Sequence, residues 1–294
     1  MKSLTKEILS FLQSNGFDCS ILMCNDLELI STCSLATKHN HTILPLSIEA
    51  GSIEEAARLH ENTEEAIRNI TAQYSEYPLI ITEDRWHLQP EAMQKRILAH
   101  LEIFNPIYAR NCEVWRIDKA LAKEFLEASH SYGHAACKYC YGMFLKRHTG
   151  HIAQQTTSYA PGTLVAVATF SNARKWTKGD KIIRSYEWTR YASLPDIRLS
   201  GGMGRMLKAF IKEVKPDDIM SYADLEWSAG NVYSQLGFTL EGHKAPVVFS
   251  IDTATWKRSP IKTETPEEGT GNRTEGYFKN FGSNKYRLKL TDYK

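Results

Sequence analysis

At 294 residues, 42% hydrophobic and 24% charged, the chain can bury a sizeable core and reads as an ordinary globular protein of one large or two modest domains. A formal charge of only +2 excludes a global polycation, so any surface for nucleic acid must be a local patch. Six sparse cysteines, at 19, 24, 33, 112, 137 and 140, exclude the dense disulfide framework of a small secreted domain and point to reduced thiols in a cytoplasmic protein.

The opening MKSLTKEILSFLQSNGF places Leu4, Ile8, Leu9, Phe11 and Leu12 at helical spacing and stops at the turn signal Asn15-Gly16. Charges interrupt it and it lacks a small-residue cleavage site, so it reads as an amphipathic helix rather than a secretory signal. No stretch reaches the apolar length of a membrane helix, and no membrane partner is expected. Short apolar runs follow at SILMC and TILPLSI. Ser52 with Glu55 three residues on predicts a capped helix through SIEEAARLHENTEEAIRNITAQY. YPLIITEDRW reads as a buried strand, and PEAMQKRILAHL as a helix with Pro90 at its permissive first position. Asn105-Pro106 breaks the pattern, and the composition shifts near 100–110. That shift predicts a small α/β domain over 1–105 and a second domain over 110–294.

From 110 onward the rhythm is denser. CEVWRID is strand-like and KALAKEFLEASH helical, and YCYGMFL, TLVAVATFS and SYEWTRYASL are three successive β-rich runs. The glycine loop SGGMGRMLKAF then opens a helix, followed by the strand DIMSYADLEW, the short helix AGNVYSQLGF and the strand PVVFSID. Residues 252–284, rich in Thr, Glu, Gly, Lys and Asn, have no apolar period and read as a long loop before the closing strand KYRLKL.

The glycine loop invites a chemical reading. Glycine tolerates positive φ and lets a ligand approach the backbone, while the first turn of a helix offers unpaired N–H groups and a positive dipole end. Ser200, Gly201, Gly202, Met203, Gly204 and Arg205 are therefore a candidate phosphate cradle. A tight strand-to-helix turn without a ligand is the alternative.

The order strand, helix, three strands, glycine loop, helix, strand, short helix ending in LGF, then two strands resembles the GNAT (GCN5-related N-acetyltransferase) superfamily across about 110–294. The ending Tyr-x-x-x-Gly-Phe in NVYSQLGF, with Tyr233, Gly237 and Phe238, is similar to that family, as is Ala229 four residues before the tyrosine. The resemblance implies a mainly antiparallel sheet flanked by helices, and acetyl-CoA as co-substrate with its pyrophosphate on the backbone of the 200–205 loop. It also implies an amine acceptor, and Tyr233 as the acid that protonates the departing thiolate. Two positions depart from the pattern: Leu199 stands where the family loop carries a basic residue, and Glu226 where an asparagine is common.

A base is expected on the strands on either side of the loop, where Glu187, Asp224 and Glu226 are the available carboxylates. Strand alternation sets Glu187, Thr189 and Tyr191 on one face and Tyr186, Trp188 and Arg190 on the other, and puts Asp224 and Glu226 on a shared face if the strand extends that far. Glu187 is the first candidate and Asp224 the second. A carboxylate introduced at Gly202 is expected to abolish acetyl-CoA binding while leaving the fold intact.

Three further features complete the inventory. His130, His134, Cys137 and Cys140 have zinc-ligand types, but a Cys-x-x-Cys pair entering a strand is expected to turn its side chains apart, so no metal is assigned. ARKWTKGDKIIRSYEWTR, residues 173–190, concentrates basic groups around two tryptophans, making Arg174, Lys175, Trp176 and Lys178 a candidate DNA surface. Finally, the carboxy-terminal pattern is similar to divergent GNAT-like domains of phages and mobile elements, including Mom-type DNA modifiers and domains attached to homing-type endonucleases. LIITEDRWHLQPEAMQKRIL is similar to the last strand and helix of restriction-endonuclease-like domains, although 18–50 lacks their acid-x-Lys pair. Two functional readings follow: an acyl-CoA-dependent N-acyltransferase, or a degenerate GNAT-like protein that binds DNA through 173–190.

Overall fold

The computed structural model describes residues 1–33, 39–147, 158–228, 230–261 and 275–293. Contacts divide the chain into two compact units. The first comprises Met1–Ile103, Asp224–Ser228 and Lys244–Ser283, and the second Phe104–Ala223, Ala229–His243 and Asn284–Lys294. Two segments that the sequence reading assigned to a 110–294 domain, 224–228 and 244–283, thus group with the amino-terminal residues.

The first unit opens with α1 (Ser3–Ser14), β1 (Cys19–Cys24), β2 (Leu27–Cys33) and β3 (Asn40–Leu46). It continues with α2 (Ile53–Tyr74), β4 (Leu79–Thr82), α3 (Glu83–Leu88) and α4 (Pro90–His100). Strands β1–β4 form a sheet in chain order, antiparallel except for the parallel pair β3/β4. Leu4, Ile8 and Leu12 recur every four residues on α1 and are fully buried, the stripe the sequence displays. At α2, Ser52 accepts from the Glu55 N–H at 3.2 Å, while the Glu55 carboxylate returns to the N–H of Gly51 at 2.8 Å, one residue earlier than the reciprocal motif expects.

One local expectation fails here. The strand through YPLIITEDRW ends at Thr82, and Glu83–Leu88 is helical. There Trp86 joins the core under α1 and donates from its indole N–H to Glu7 at 2.9 Å, a tertiary anchor that a strand reading has no means to foresee. LELISTC, unremarked in the sequence reading, is the central strand β2.

The second unit contains β5 (Asn105–Tyr108), β6 (Cys112–Arg116), α5 (Lys119–Ser129), β7 (Tyr139–Leu145), β8 (Leu164–Phe170) and β9 (Arg174–Lys178). Next come β10 (Lys181–Ser193), β11 (Ile197–Ser200), α6 (Gly202–Val214), β12 (Asp218–Asp224), α7 (Asn231–Gln235) and β13 (Thr239–Lys244). The chain then makes β14 (Val248–Asp252), β15 (Lys257–Pro260) and β16 (Glu275–Lys279) in the first unit before β17 (Ser283–Lys289). β14 lies between β15 and β16, antiparallel to both. The long loop expected over 252–284 is therefore partly sheet. Its polar strands are held by cross-strand pairing and by packing of β16 on α2, not by an apolar period of their own. Residues 262–274 lie outside the described residues.

The main sheet runs β13-β17-β12-β10-β8-β7-β6, with β9 paired to β10. Its pairs β6/β7, β7/β8, β8/β10 and β9/β10 are antiparallel, and β10/β12 is parallel. This is the mixed, mainly antiparallel sheet flanked by helices that the sequence predicts. α5 packs Ala122 and Leu126 against Val167 and Ala192, while α6 packs Met206, Leu207 and Phe210 against Phe170, Tyr186 and Trp188. Because Val167 and Ala168 alternate across β8, the two helices cover opposite faces. Phe210 stacks on Phe170 with ring centroids 3.9 Å apart, which fixes α6, and hence the loop before it, over the centre of the sheet.

Candidate active site

The site forms where two parallel strands separate. β10 and β12 pair only at Ser185–Asp218, Tyr186–Ile219 and Glu187–Met220. At the paired end the fully buried Asp218 holds the strands together: it accepts from Ser185, from Arg287 at 2.7 Å and from the Tyr293 hydroxyl. Beyond Glu187, β10 leaves β12 and continues along β8, where a bulge at Thr189 lets Trp188 face Phe170 and Arg190 face Thr169. In open sheets with parallel strands, ligands lodge outside the carboxyl ends of strands at such a parting.

The bulge overturns part of the expected alternation. Trp188 and Tyr191, assigned to opposite faces, pack edge to face with centroids 6.0 Å apart. One extra residue in a strand flips the side chains after it, and nothing local in SYEWTRY announces that residue.

Just past the parting, Ser221 donates to the Trp188 carbonyl at 3.0 Å, and its oxygen lies 2.9 Å from the Tyr233 hydroxyl. The Tyr233 ring is gripped on three sides: it stacks on Tyr286 at 5.1 Å and meets Phe238 and Trp188 edge-on. Burial raises its pKa, the hydrogen bond to Ser221 opposing and Tyr286 reinforcing the rise, so the phenol stays protonated at neutral pH and can donate.

Why the tyrosine is held so firmly follows from the LGF ending. Phe238 N–H bonds to the Tyr233 carbonyl at 3.0 Å and Gly237 N–H to that of Ser234 at 3.0 Å, the paired bonds of a Schellman helix end. Gly237 has φ +86°, and Phe238 is buried against the tyrosine ring. The tyrosine, glycine and phenylalanine thus form one mechanical unit. Ala229 lies outside the described residues.

The glycine loop splits into distinct roles. Gly201 adopts φ +77° and is exposed, with no side chain capping α6. The first intrahelical bond, Arg205 N–H to the Gly201 carbonyl at 3.1 Å, leaves the N–H groups of Gly202, Met203 and Gly204 without acceptors inside the helix. Gly202, by contrast, is buried: a Cβ there would sit 2.7 Å from Leu199 and 2.8 Å from the Tyr191 hydroxyl. A carboxylate at Gly202 would therefore disturb the packing, contrary to the expectation that it leaves the fold intact. Arg205 donates to the Ala109 carbonyl at 2.6 Å and anchors the turn.

The carboxylates diverge. Glu187 is half-buried at the last paired position, its charge acting on Arg190. Asp224 closes β12, its carboxylate accepting from the Glu226 N–H at 3.0 Å and its carbonyl from Trp227 and Ser228 at 2.9 Å. Glu226 lies beyond the strand, so the shared face expected for Asp224 and Glu226 does not exist. Instead Glu226 is 4% exposed and engaged by Arg258 at 2.8 Å and Arg85 at 3.3 Å. Burial alone would raise its pKa, yet Arg258, Arg85 and Arg96 together pull it down to about 2. Its role is structural.

In the basic segment, Arg174, Lys175 and Lys178 are exposed on β9, but Trp176 packs edge-on against Tyr293 at 5.5 Å and Arg184 is committed to Asp217 at 3.4 Å. The tryptophan is part of the sheet edge rather than an open stacking platform. Cys137 and Cys140 face each other, Sγ to Sγ 3.4 Å, with His134 Nε2 3.9 Å from Cys137. The expectation that they turn apart fails because Cys137 precedes β7 in irregular backbone, where strand alternation does not apply.

Sequence reasoning did not find Ser221, Thr189 or Asp218. Their importance arises from pairing partners more than 15 residues away, and each is an unexceptional strand residue in its own context.

No protein-family profile and no curated protein matches the chain. Similar solved structures include the NatC complex bound to Gag peptide and CoA, 14% identical with TM-score 0.34, covering 62% of this chain and 99% of that one. A spermidine N-acetyltransferase chimera that includes Vibrio cholerae SpeG is 11% identical with TM-score 0.32, covering 61% and 96%. A Desulfovibrio desulfuricans protein described as a GNAT-family acetyltransferase is 13% identical with TM-score 0.33, covering 61% and 99%. Among the described residues no helix is long and apolar enough to cross a membrane.

Proposed function

We propose that the second compact unit is an acyl-CoA-dependent N-acyltransferase of GNAT type, with acetyl-CoA as donor and an amine as acceptor. The observation that carries this reading is the parting of β10 from β12 immediately after Glu187, with the protonated Tyr233 hydroxyl 2.9 Å from Ser221 at its base. In the same unit the uncapped first turn of α6 offers a donor surface for an anion.

On this reading the 200–205 backbone, above all the N–H groups of Gly202, Met203 and Gly204, receives the pyrophosphate of the coenzyme. Acyl transfer forms a carbon–nitrogen bond at the thioester carbonyl and breaks the carbon–sulfur bond. Glu187 takes the proton that the amine must lose, and Tyr233 supplies the proton that the thiolate gains. Asp224, which groups with the first unit and already accepts from the Glu226 N–H, takes no part in this reading. A DNA-binding reading is not pursued, because Trp176 and Arg184 are engaged within the protein.

Calorimetric titration of acetyl-CoA tests the proposal, with Gly201→Asp as the control. That position is exposed, with only the Ala109 Cβ at 3.7 Å, so the variant adds about 1 kcal/mol of backbone strain at φ +77° but keeps the packing that Gly202 needs. Binding to the parent chain that is lost in Gly201→Asp is the expected result. Absence of heat with a folded sample would reject it.

A further inference from the structure

A second cluster of chemistry-bearing side chains lies in the first unit. His41 is on β3, Glu76 in the connection from α2 to β4, and His100 at the end of α4. His41 Nδ1 is 3.3 Å and His100 Nδ1 4.0 Å from Glu76 Oε1, and the two rings meet edge to face with centroids 4.9 Å apart. One donor atom from each of the three side chains lies within 4.8 Å of the other two.

The two imidazoles are largely shielded from solvent, His41 being only 8% exposed. The nitrogens that approach Glu76 are the Nδ1 atoms, and the Nε2 atoms, buried with no hydrogen-bond partner, lie outside that donor set. The spacing also matches a metal. Ligands about 2.0–2.1 Å from a tetrahedral ion stand about 3.3–3.4 Å apart. The His41–Glu76 distance already has that value, and His100, 4.0 Å from Glu76, has to move in to complete the set.

We propose that His41, Glu76 and His100 form a binding site for a divalent transition metal, zinc by ligand type, that clamps β3, the α2–β4 connection and α4 together. Two imidazoles and one carboxylate are a borderline donor set that disfavours magnesium and calcium, and three protein ligands leave a fourth position for water at the partly exposed Glu76 side. The nearby cation Arg96 opposes a bound ion, but its guanidinium is turned to the carbonyls of Ile80, Glu226 and Trp227.

The test is a titration of the chelator-treated full chain with ZnCl2, followed by calorimetry and thermal melting, and with CoCl2 as a spectroscopic probe. The expected result is one ion per chain, a rise in Tm, and the visible absorption of tetrahedral cobalt. His41→Ala and His100→Ala should each lose the site, and Glu76→Gln, which removes a direct ligand, should weaken it by more than the roughly 10- to 100-fold lost when an outer-shell partner is changed. If the buried histidine variants do not fold, Glu76→Gln decides, since that side chain is 36% exposed. No heat and no Tm shift with folded protein would overturn the proposal. So would zinc binding that persists unchanged in Glu76→Gln, which would mark adventitious capture by surface histidines.

Discussion

Glu226 and Tyr233 stand seven residues apart in one short stretch, SYADLEWSAGNVYSQLGF, yet they belong to different compact units and do opposite things. Glu226 is a buried charge that the protein neutralises completely with arginines. Tyr233 is a buried neutral group whose ring is held on several sides while its hydroxyl meets Ser221 at 2.9 Å and the Tyr222 carbonyl at 3.5 Å, neither of them charged. Saturated partners make a residue a structural post. An immobilised side chain with spare hydrogen-bonding capacity can do chemistry. The contrast turns on what surrounds each group and not on its type, since a carboxylate is the commoner catalyst.

The comparison can be broken most forcefully at Glu226. Glu226→Gln removes a buried carboxylate that Arg258 and Arg85 share, with Asp84 still pairing Arg258, and should cost about 3 kcal/mol, seen as a fall in Tm. The folded carboxyl, at about 2, lies below its ordinary value. Its stabilisation is therefore present above the unfolded pKa and lost as pH falls toward 2. Melting from pH 7 to pH 3 should show a plateau, then a decline below about pH 4–5 that the Gln variant lacks in part. A parent chain whose Tm ignores acid would contradict this account.

A smaller effect is expected at Gly202. Alanine there meets Leu199 and the Tyr191 hydroxyl below 3 Å, so about 1–3 kcal/mol should be lost, visible in chemical denaturation. Gly237→Ala, at φ +86° with only Leu288 at 3.6 Å, should cost about 1 kcal/mol through backbone strain alone. If Gly202→Ala proves no worse than Gly237→Ala, the close packing assigned to Gly202 is wrong.

The smallest change in stability should come from Tyr233→Phe, which keeps the stacked ring and removes one hydroxyl. A cost of about 1 kcal/mol in melting is expected. On the proposed mechanism, acyl transfer to amines nonetheless falls about 10²- to 10⁴-fold at unchanged acetyl-CoA affinity. A large loss of stability with little loss of rate would make Tyr233 another structural post.

Some of this was legible in the chain. The stripe of α1, the capped start of α2 and the three β-rich runs follow from side-chain periods of 3.6 and 2, which any single segment displays. The helix end at Gly237-Phe238 was visible as a motif, and its Schellman bonds give that motif a mechanical reason. The strand period, however, could not reveal the bulge at Thr189, because a bulge is defined by the partner strand. Nor could polar 252–284 be recognised as holding strands, since β15 and β16 are held by pairing with β14 more than by burial.

By itself, then, the sequence determined most of the helices and strands and the glycine loop ahead of α6, because each depends on local backbone preference and on apolar periodicity, while the sheet type and Tyr233 stood out only through the family resemblance. Only the tertiary structure decided that Gly202 is packed while Gly201 is open, that Glu226 is spent on arginines, and that His41, Glu76 and His100 converge. Those outcomes depend on distances between residues far apart in the chain, and no local pattern encodes a distance.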